Sequence, residues 1–309
     1  MSGELLWWLN LLIAVGIYTL LAVSLNLING YAGMFHLGHH GFWAMGAYAA
    51  TWFTVTWHGQ MPGPLLFLLS ALFAMLVAAI GGLAIGVPCL RLRGDYLAIA
   101  TLGFGEIVRI AIQNSPEEVL GGSLGIQVPR ILMEVKRKTI VDFRWLMLGI
   151  VTFLCVLTIW KIRNFIKSAQ GRRLLAVAQD ETAAALLGIN PTHSKVSAFV
   201  IGAAIAGLAG AMYAHYEGTI TPLDFNFMEI VKMFLIIVLG GMGSLSGCVV
   251  GSFLVIGTER GLARASGFVA DWWQVEFPLI LALMIIFRPQ GLFGRREIAD
   301  LLWRRRRSA

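Results

Sequence analysis

The sequence predicts an all-α protein, a polytopic membrane bundle of about eight to ten transmembrane helices. Three observations predict it. Apolar residues make up 58% of the 309 and charged residues only 13%, whereas a soluble globule carries about a quarter of its residues charged. The mean hydropathy is +0.76. Several apolar stretches are long enough to cross ~30 Å of hydrocarbon at about 1.5 Å per helical residue. Finally, the basic residues gather in a few links between those stretches, as they do in chains whose cytoplasmic loops are positive.

Taken in order, the first crossing is Leu5–Ile28, which carries no charge. It runs into Asn29–Ala50, where Gly30, Gly33, Gly38, Gly41 and Gly46 are too many for a straight helix, so Tyr31–Val55 is read as a glycine-broken crossing. Pro64–Val87 is the next full crossing, followed by a short link with Arg91 and Arg93 and by Tyr96–Ile112. Residues 114–142 form a long external loop holding Gly121, Gly122 and Gly125 and then a charged stretch. Phe143–Trp160 crosses again. A soluble segment at 163–192 follows, then crossings or half-crossings at Val196–His215, Phe225–Leu239, Gly247–Thr258 and Trp272–Phe287. A basic tail occupies 288–309, and the whole of 1–309 reads as one transmembrane domain.

Charge sets the orientation. Lys161 to Lys195 carries six basic residues and the tail seven, so both, with the Arg91/Arg93 link, belong in the cytoplasm. The 114–142 loop with Arg130, Lys136, Arg137 and Lys138 dissents, but alternation of the crossings puts it outside. The N-terminal side is open, and no basic n-region marks a cleavable signal. The formal charge of +7 and pI near 9.6 report these clusters and anionic lipid, not nucleic acid.

The stretch Gly171–Asn190 is expected to be a single short helix between spans, opened by Arg172 and Arg173, with Asp180 and Glu181 at its middle and Gly188 before Pro191 at its end. Ala183, Leu186 and Leu187 recur at helical spacing, and the small Ala184 and Gly188 would let another surface approach closely. Such a face fits mechanical contact with a partner; a bland amphipathic helix lying on lipid is the alternative.

A second glycine run, Leu239–Ser252, contains Gly240, Gly241, Gly243, Gly247 and Gly251. Broken helices of this kind place exposed backbone beside a substrate near the bilayer midplane, or pack helices closely through small residues. Both readings apply to Gly38, His39, Gly41, Gly46, Gly240, Gly241, Gly243 and Gly247. Glu106 and Arg109, one turn apart in a membrane segment, are expected to satisfy each other on a bundle-facing side. His36, His39 and His40 stand at i, i+3 and i+4, but no carboxylate or cysteine accompanies them, so a hydrogen-bonded cluster is preferred over a metal site. Cys89, Cys155 and Cys248 are far apart in apolar segments and read as packing residues.

No lysine follows a glycine anywhere, so a phosphate-binding P-loop is absent, and no nucleophile elbow or dinucleotide motif is visible. The chain is therefore not an enzyme, and any uphill transport draws on another polypeptide or an ion gradient. Few acids fall inside the apolar stretches, which disfavours the gradient.

Three long runs, Arg91–Ile110, Gly171–Asn190 and Val238–Gly247, resemble the branched-chain amino acid ABC importer permeases of the M type. The likeness extends from about Leu20 to Gly294, and includes GGSLGI at Gly121–Ile126 and the glycine-rich run around His39; His36 and His40 depart from the usual pattern. It implies that Gly171, Arg172, Asp180, Glu181, Ala184 and Gly188 belong to a coupling helix seated in a cytoplasmic ATPase. It also implies a homologous second permease, two ABC ATPase subunits that use ATP and magnesium, a periplasmic substrate-binding protein, an inner-membrane location, and no cofactor on this chain. The glycine-broken segments would then line a path for branched-chain amino acids. The alternatives are the same architecture importing urea, short amides or other amino acids, a stand-alone secondary carrier, or an intramembrane enzyme.

Overall fold

A computed structural model describes residues 3–89, 92, 94–134 and 140–264, together with 279, 283, 291, 292 and 294. Arg91, Arg93, the Lys136–Lys138 stretch, most of Trp272–Phe287 and all but three residues of the tail lie outside the described residues. The chain is almost wholly helical, in keeping with the expected class. Its helices are α1 (Gly3–Asn26, continued by a π-helical turn at Leu27–Tyr31), α2 (His39–Thr56), α3 (Gly63–Cys89), α4 (Asp95–Gln113), the short α5 (Glu117–Leu120) and α6 (Ile131–Glu134), α7 (Ile140–Lys167), α8 (Ala169–Gln179), α9 (Glu181–Leu186), α10 (Pro191–Glu217), α11 (Phe227–Gly240) and α12 (Leu245–Arg264).

Five stretches, Gly3–Tyr31, Gly63–Cys89, Phe143–Lys167, Pro191–Glu217 and Leu245–Leu262, are long and apolar enough to span a bilayer. The shorter α2, α4 and α11 pack among them, so the described residues supply eight bundle helices of the multi-pass protein. α1 is the central strut, with 89% of its apolar window buried, whereas α7 is peripheral at 28%. A uniformly apolar helix is what a buried position requires, and α1 packs against α7, α10, α11 and α12.

α2, α3 and α10 form the tightest group. In lipid the packing force is van der Waals contact, and small residues let backbones meet. A Cβ at Gly207 would fall 2.6 Å from both the Ala74 carbonyl and the Ala78 side chain, and one at Gly82 would fall 2.6 Å from Ala203.

The sidedness is internally consistent. A two-residue strand β1 (Ile126–Gln127) in the 114–142 loop pairs antiparallel with β2 (Thr219–Ile220) after α10, and the Val128 N–H donates to the Gly218 carbonyl at 2.9 Å. That ribbon puts the loop at the opposite end of α10 from α8 and α9, as alternation requires. Asn10 near the start of α1 is bonded by Arg144 at the start of α7 and, through its carbonyl, by Arg260 Nη1 at 3.1 Å near the end of α12. The N-terminus, left open by the sequence, therefore shares the loop's side.

Glu229 in α11 and Glu259 in α12 are partly buried and paired. Lys232 Nζ lies 2.9 Å from Glu229 Oε1 and 2.8 Å from Glu259 Oε1, and the Tyr18 hydroxyl donates to Glu229 Oε2 at 2.5 Å. These groups tie α1, α11 and α12 together, and both acids have partners within the chain. Each ion is costly to desolvate alone, so the cluster is held by mutual pairing.

Candidate functional site: the lever and the broken helices

The expected single helix at Gly171–Asn190 is two helices. Ser168 opens α8, its hydroxyl accepting the Gly171 N–H at 3.3 Å. Gly171 is buried against the end of α7, where a Cβ would fall 2.2 Å from the Phe165 carbonyl and 2.4 Å from that of Ile166. Only glycine fits, so its role is the tight corner between α7 and α8. Arg172 Nη1 closes the same corner on the Lys167 carbonyl at 2.6 Å. Leu174 and Val177 face inward at helical spacing.

Asp180 then breaks the helix. Its backbone is extended (φ −153°, ψ 109°), and its Oδ1 accepts the Thr182 and Ala183 N–H groups at 2.8 and 2.9 Å, making it the N-cap of α9. A short carboxylate competes for backbone N–H groups in this way and prefers a cap to a helix interior. Glu181 pairs with Lys195 in the first turns of α10 at 2.7 Å. Gly188 ends α9 with φ +79°: its N–H bonds the Ala185 carbonyl and that of Ile189 bonds the Ala184 carbonyl, the two bonds of a Schellman cap. Asn190 and Pro191 start α10 in the expected manner.

The contact face expected from spacing is also redrawn. Ala184 is buried against its own chain, and Gly188 owes its identity to backbone conformation. Leu186 and Leu187 instead stand 85% and 80% exposed on a soluble two-turn helix capped at both ends.

The two glycine runs meet beneath this lever. Asn26, at the end of α1, accepts the Gly243 N–H at 2.8 Å and donates to the Ser244 carbonyl at 3.0 Å, clamping the α11–α12 break to the π-helical turn. Gly241 and Gly243 both take positive φ (111° and 88°). A Cβ at Gly30 would fall 2.5 Å from the Gly243 nitrogen. A cavity of about 190 Å³ between them is lined by Gly30, Tyr31, Gly33 and Gly243 and by Leu175, Ala178 and Gln179 of α8. The lever thus touches both breaks. Replacing Asn26 by leucine removes both clamping bonds and strands two backbone groups; a destabilisation of about 2–4 kcal/mol is expected, read as a lower melting temperature of the purified membrane protein.

Each remaining glycine of the two runs has a close neighbour. A Cβ at Gly38 would fall 2.1 Å from the Thr101 carbonyl, at Gly41 2.8 Å from Gly105 Cα, at Gly46 2.3 Å from Gly207 Cα, and at Gly240 2.1 Å from the Gly247 carbonyl. His39 is fully buried with its Nε2 2.7 Å from the Ser24 hydroxyl. His36 stacks on Phe42 and meets Phe199 edge-on. Among the described residues no group of three histidine, cysteine or acidic side chains could hold a metal. None of the three cysteines is in a disulfide, Cys155 donating to the Gly16 carbonyl and Cys248 accepting from Asn26.

The Glu106–Arg109 pair forms as expected, at 2.7 Å. It lies on the flank of α4 beside α2, the side chains 29% and 20% exposed, with the buried His40 3.7 Å from Glu106.

Comparison with known proteins agrees with this architecture. Residues 8–287 match the family described as branched-chain amino acid transport system / permease component. The chain is similar to the high-affinity branched-chain amino acid transport system permease protein LivM of Salmonella typhimurium and of Escherichia coli, 37% identical over 297 residues in each case, covering 89% of this chain and 67% of the relative. It is 28% identical over 294 residues to the LivH permease protein of Escherichia coli, covering 91% and 92%.

Proposed function

The chain belongs to the branched-chain amino acid transport permease family, and from that premise we propose that it is the M-type subunit of an ATP-binding-cassette importer in the cell's inner membrane. It forms the translocation path for branched-chain amino acids together with a homologous second permease. A periplasmic binding protein delivers the cargo to the side of the 114–142 loop. Two ATP-binding subunits on the opposite side grip α9 and supply the energy, since this chain has no phosphate-binding loop. The observation that carries the reading is the lever: α9 offers two bare leucines to a partner, while α8, one capped joint away, lines a cavity with both glycine-broken helices. Closure of the motors moves α9, α8 transmits the push, and the breaks at Gly30–Gly33 and Gly241–Gly243 absorb it. The path runs along the exposed flank of α4, next to the start of α2, while Gly38, Gly41 and Gly46 hold α2 close to α4 and α10.

The experiment is reconstitution. In proteoliposomes holding both permeases and both ATPases, binding protein loaded with leucine is expected to stimulate ATP hydrolysis and leucine accumulation, and this chain alone is expected to do neither. Accumulation by the single chain, or stimulation by urea or a short amide in place of leucine, overturns the proposal.

A further inference from the structure

We propose that Glu106 and Arg109 receive the head group of the zwitterionic cargo, the carboxylate meeting the α-ammonium and the guanidinium meeting the α-carboxylate. This assignment rests on reading the chain as an amino-acid permease. It begins from depth. Glu106 lies about 16 Å along α4, near the middle of a helix of 19 residues, where an ionised side chain facing lipid is strongly disfavoured. Both side chains are nonetheless partly open, at the edge of the exposed face formed by Tyr96, Ile99, Ile107 and Ile110. Gly103, one turn before Glu106, has nothing within 4 Å of where its Cβ would be. A charged pair beside a bare glycine is a poor lipid face and a good wall for a watered path.

The geometry fits a zwitterion. Glu106 turns Oε2 to Arg109 at 2.7 Å, while its Oε1 lies 3.7 Å from His40 Nε2 at the broken start of α2. Arg109 also reaches Gln113 Oε1 at 3.4 Å. The pair is thus held from within α4, with the buried His40 ring close behind it, and remains partly open. An amino acid laid against it head to tail closes a ring of four alternating charges with no net charge added at membrane depth. The space over Gly103, flanked by Ile99 and Ile107, suits a branched apolar side chain. Glu106 and Arg109 are therefore binding residues of the path.

The test uses the complete reconstituted transporter, with wild type in parallel. Glu106→Gln and Arg109→Gln are each expected to lower leucine uptake at least about tenfold, the loss that follows removal of a hydrogen bond to a charged group, while the partner permease still copurifies. In a background with Cys89, Cys155 and Cys248 replaced by alanine, Glu106→Cys is expected to react with a membrane-impermeant thiosulfonate, and leucine-loaded binding protein to slow that reaction. Uptake at the wild-type rate by Glu106→Gln, failure of Glu106→Cys to react in every state, or loss of the partner permease from Glu106→Gln preparations overturns the assignment; the last makes the pair an intersubunit tie. If wild type itself fails to accumulate leucine, it is the functional reading that falls, and that outcome is distinct from the others.

Discussion

Aspartate at both Leu186 and Leu187 is expected to release the ATP-binding subunits from the assembled permease and to lower uptake by at least about a hundredfold. The magnitude follows from the character of the contact: exposed apolar side chains that become the centre of an interface each contribute on the order of 2 kcal/mol or more, and a desolvated aspartate adds its own penalty. The fold will tolerate the change. α9 is fixed by the Asp180 cap, the Gly188 turn and the Glu181–Lys195 pair, and none of these is touched. The chain alone will therefore reach the membrane in normal amount and elute as the wild type does. Copurification of the ATPases and leucine uptake by reconstituted vesicles are the two measurements. Full copurification with full uptake would show that the leucines lie outside the contact.

The same substitutions at Ala184 read differently, and the contrast marks where sequence reasoning ended. Spacing grouped Ala184 with Gly188 as a small-residue contact face, because both lie on one side of an uninterrupted helix. The helix is interrupted. Asp180 had the signature of an N-cap, a short carboxylate followed by Glu181, Thr182 and three alanines, yet the register of Arg172 to Ala178 continues through it so smoothly that pattern alone gives no reason to stop. Once α9 starts at Glu181 and turns, Ala184 points home and the leucines point out. The crossings were legible for a simpler reason: lipid leaves no alternative to runs of apolar residues, and Gly3–Tyr31 and Gly63–Cys89 fall within a few residues of their expected bounds, while Phe143–Lys167 starts as expected and runs two turns further.

Tertiary partners were not legible. Tyr18 and Glu229 are separated by 211 positions, and nothing local to either announces the other. Glu229, Lys232 and Glu259 join α11 to α12, and Glu229 joins α11 to the central strut through Tyr18. Likewise the i, i+3 spacing foretold the Glu106–Arg109 contact but not the proximity of His40 across the α2–α4 contact. The joining of the two glycine runs through Asn26 is a third case. Each run was visible; the side chain that clamps them is an ordinary asparagine inside α1.

Replacement of Gly46 by valine is the other large effect, and it discriminates between the two readings that the glycine runs left open. A Cβ at this position would stand 2.3 Å from Gly207 Cα and 2.4 Å from the Gly207 carbonyl, and both obstacles are backbone. A flexible side chain could swing aside, but a helix cannot. Nor can α10 retreat, because Gly207 is pressed against Ala74 and Ala78 of α3, and Gly210 against the Trp43 carbonyl and the Ala47 nitrogen of α2. Valine must separate three helices at once, a cost above the ~1–3 kcal/mol of ordinary overpacking. Loss of monodisperse protein after detergent extraction is the expected result, with uptake lost as its consequence. Gly257→Ala in α12 supplies the control: a Cβ there meets nothing within 4 Å, and alanine favours the helix by about 1 kcal/mol, so the protein is expected to extract and transport normally. If Gly46→Val instead yields intact, stable protein that fails only in transport, the glycine acts by keeping a path clear, and the close approach of α2 to α10 is not what demands it.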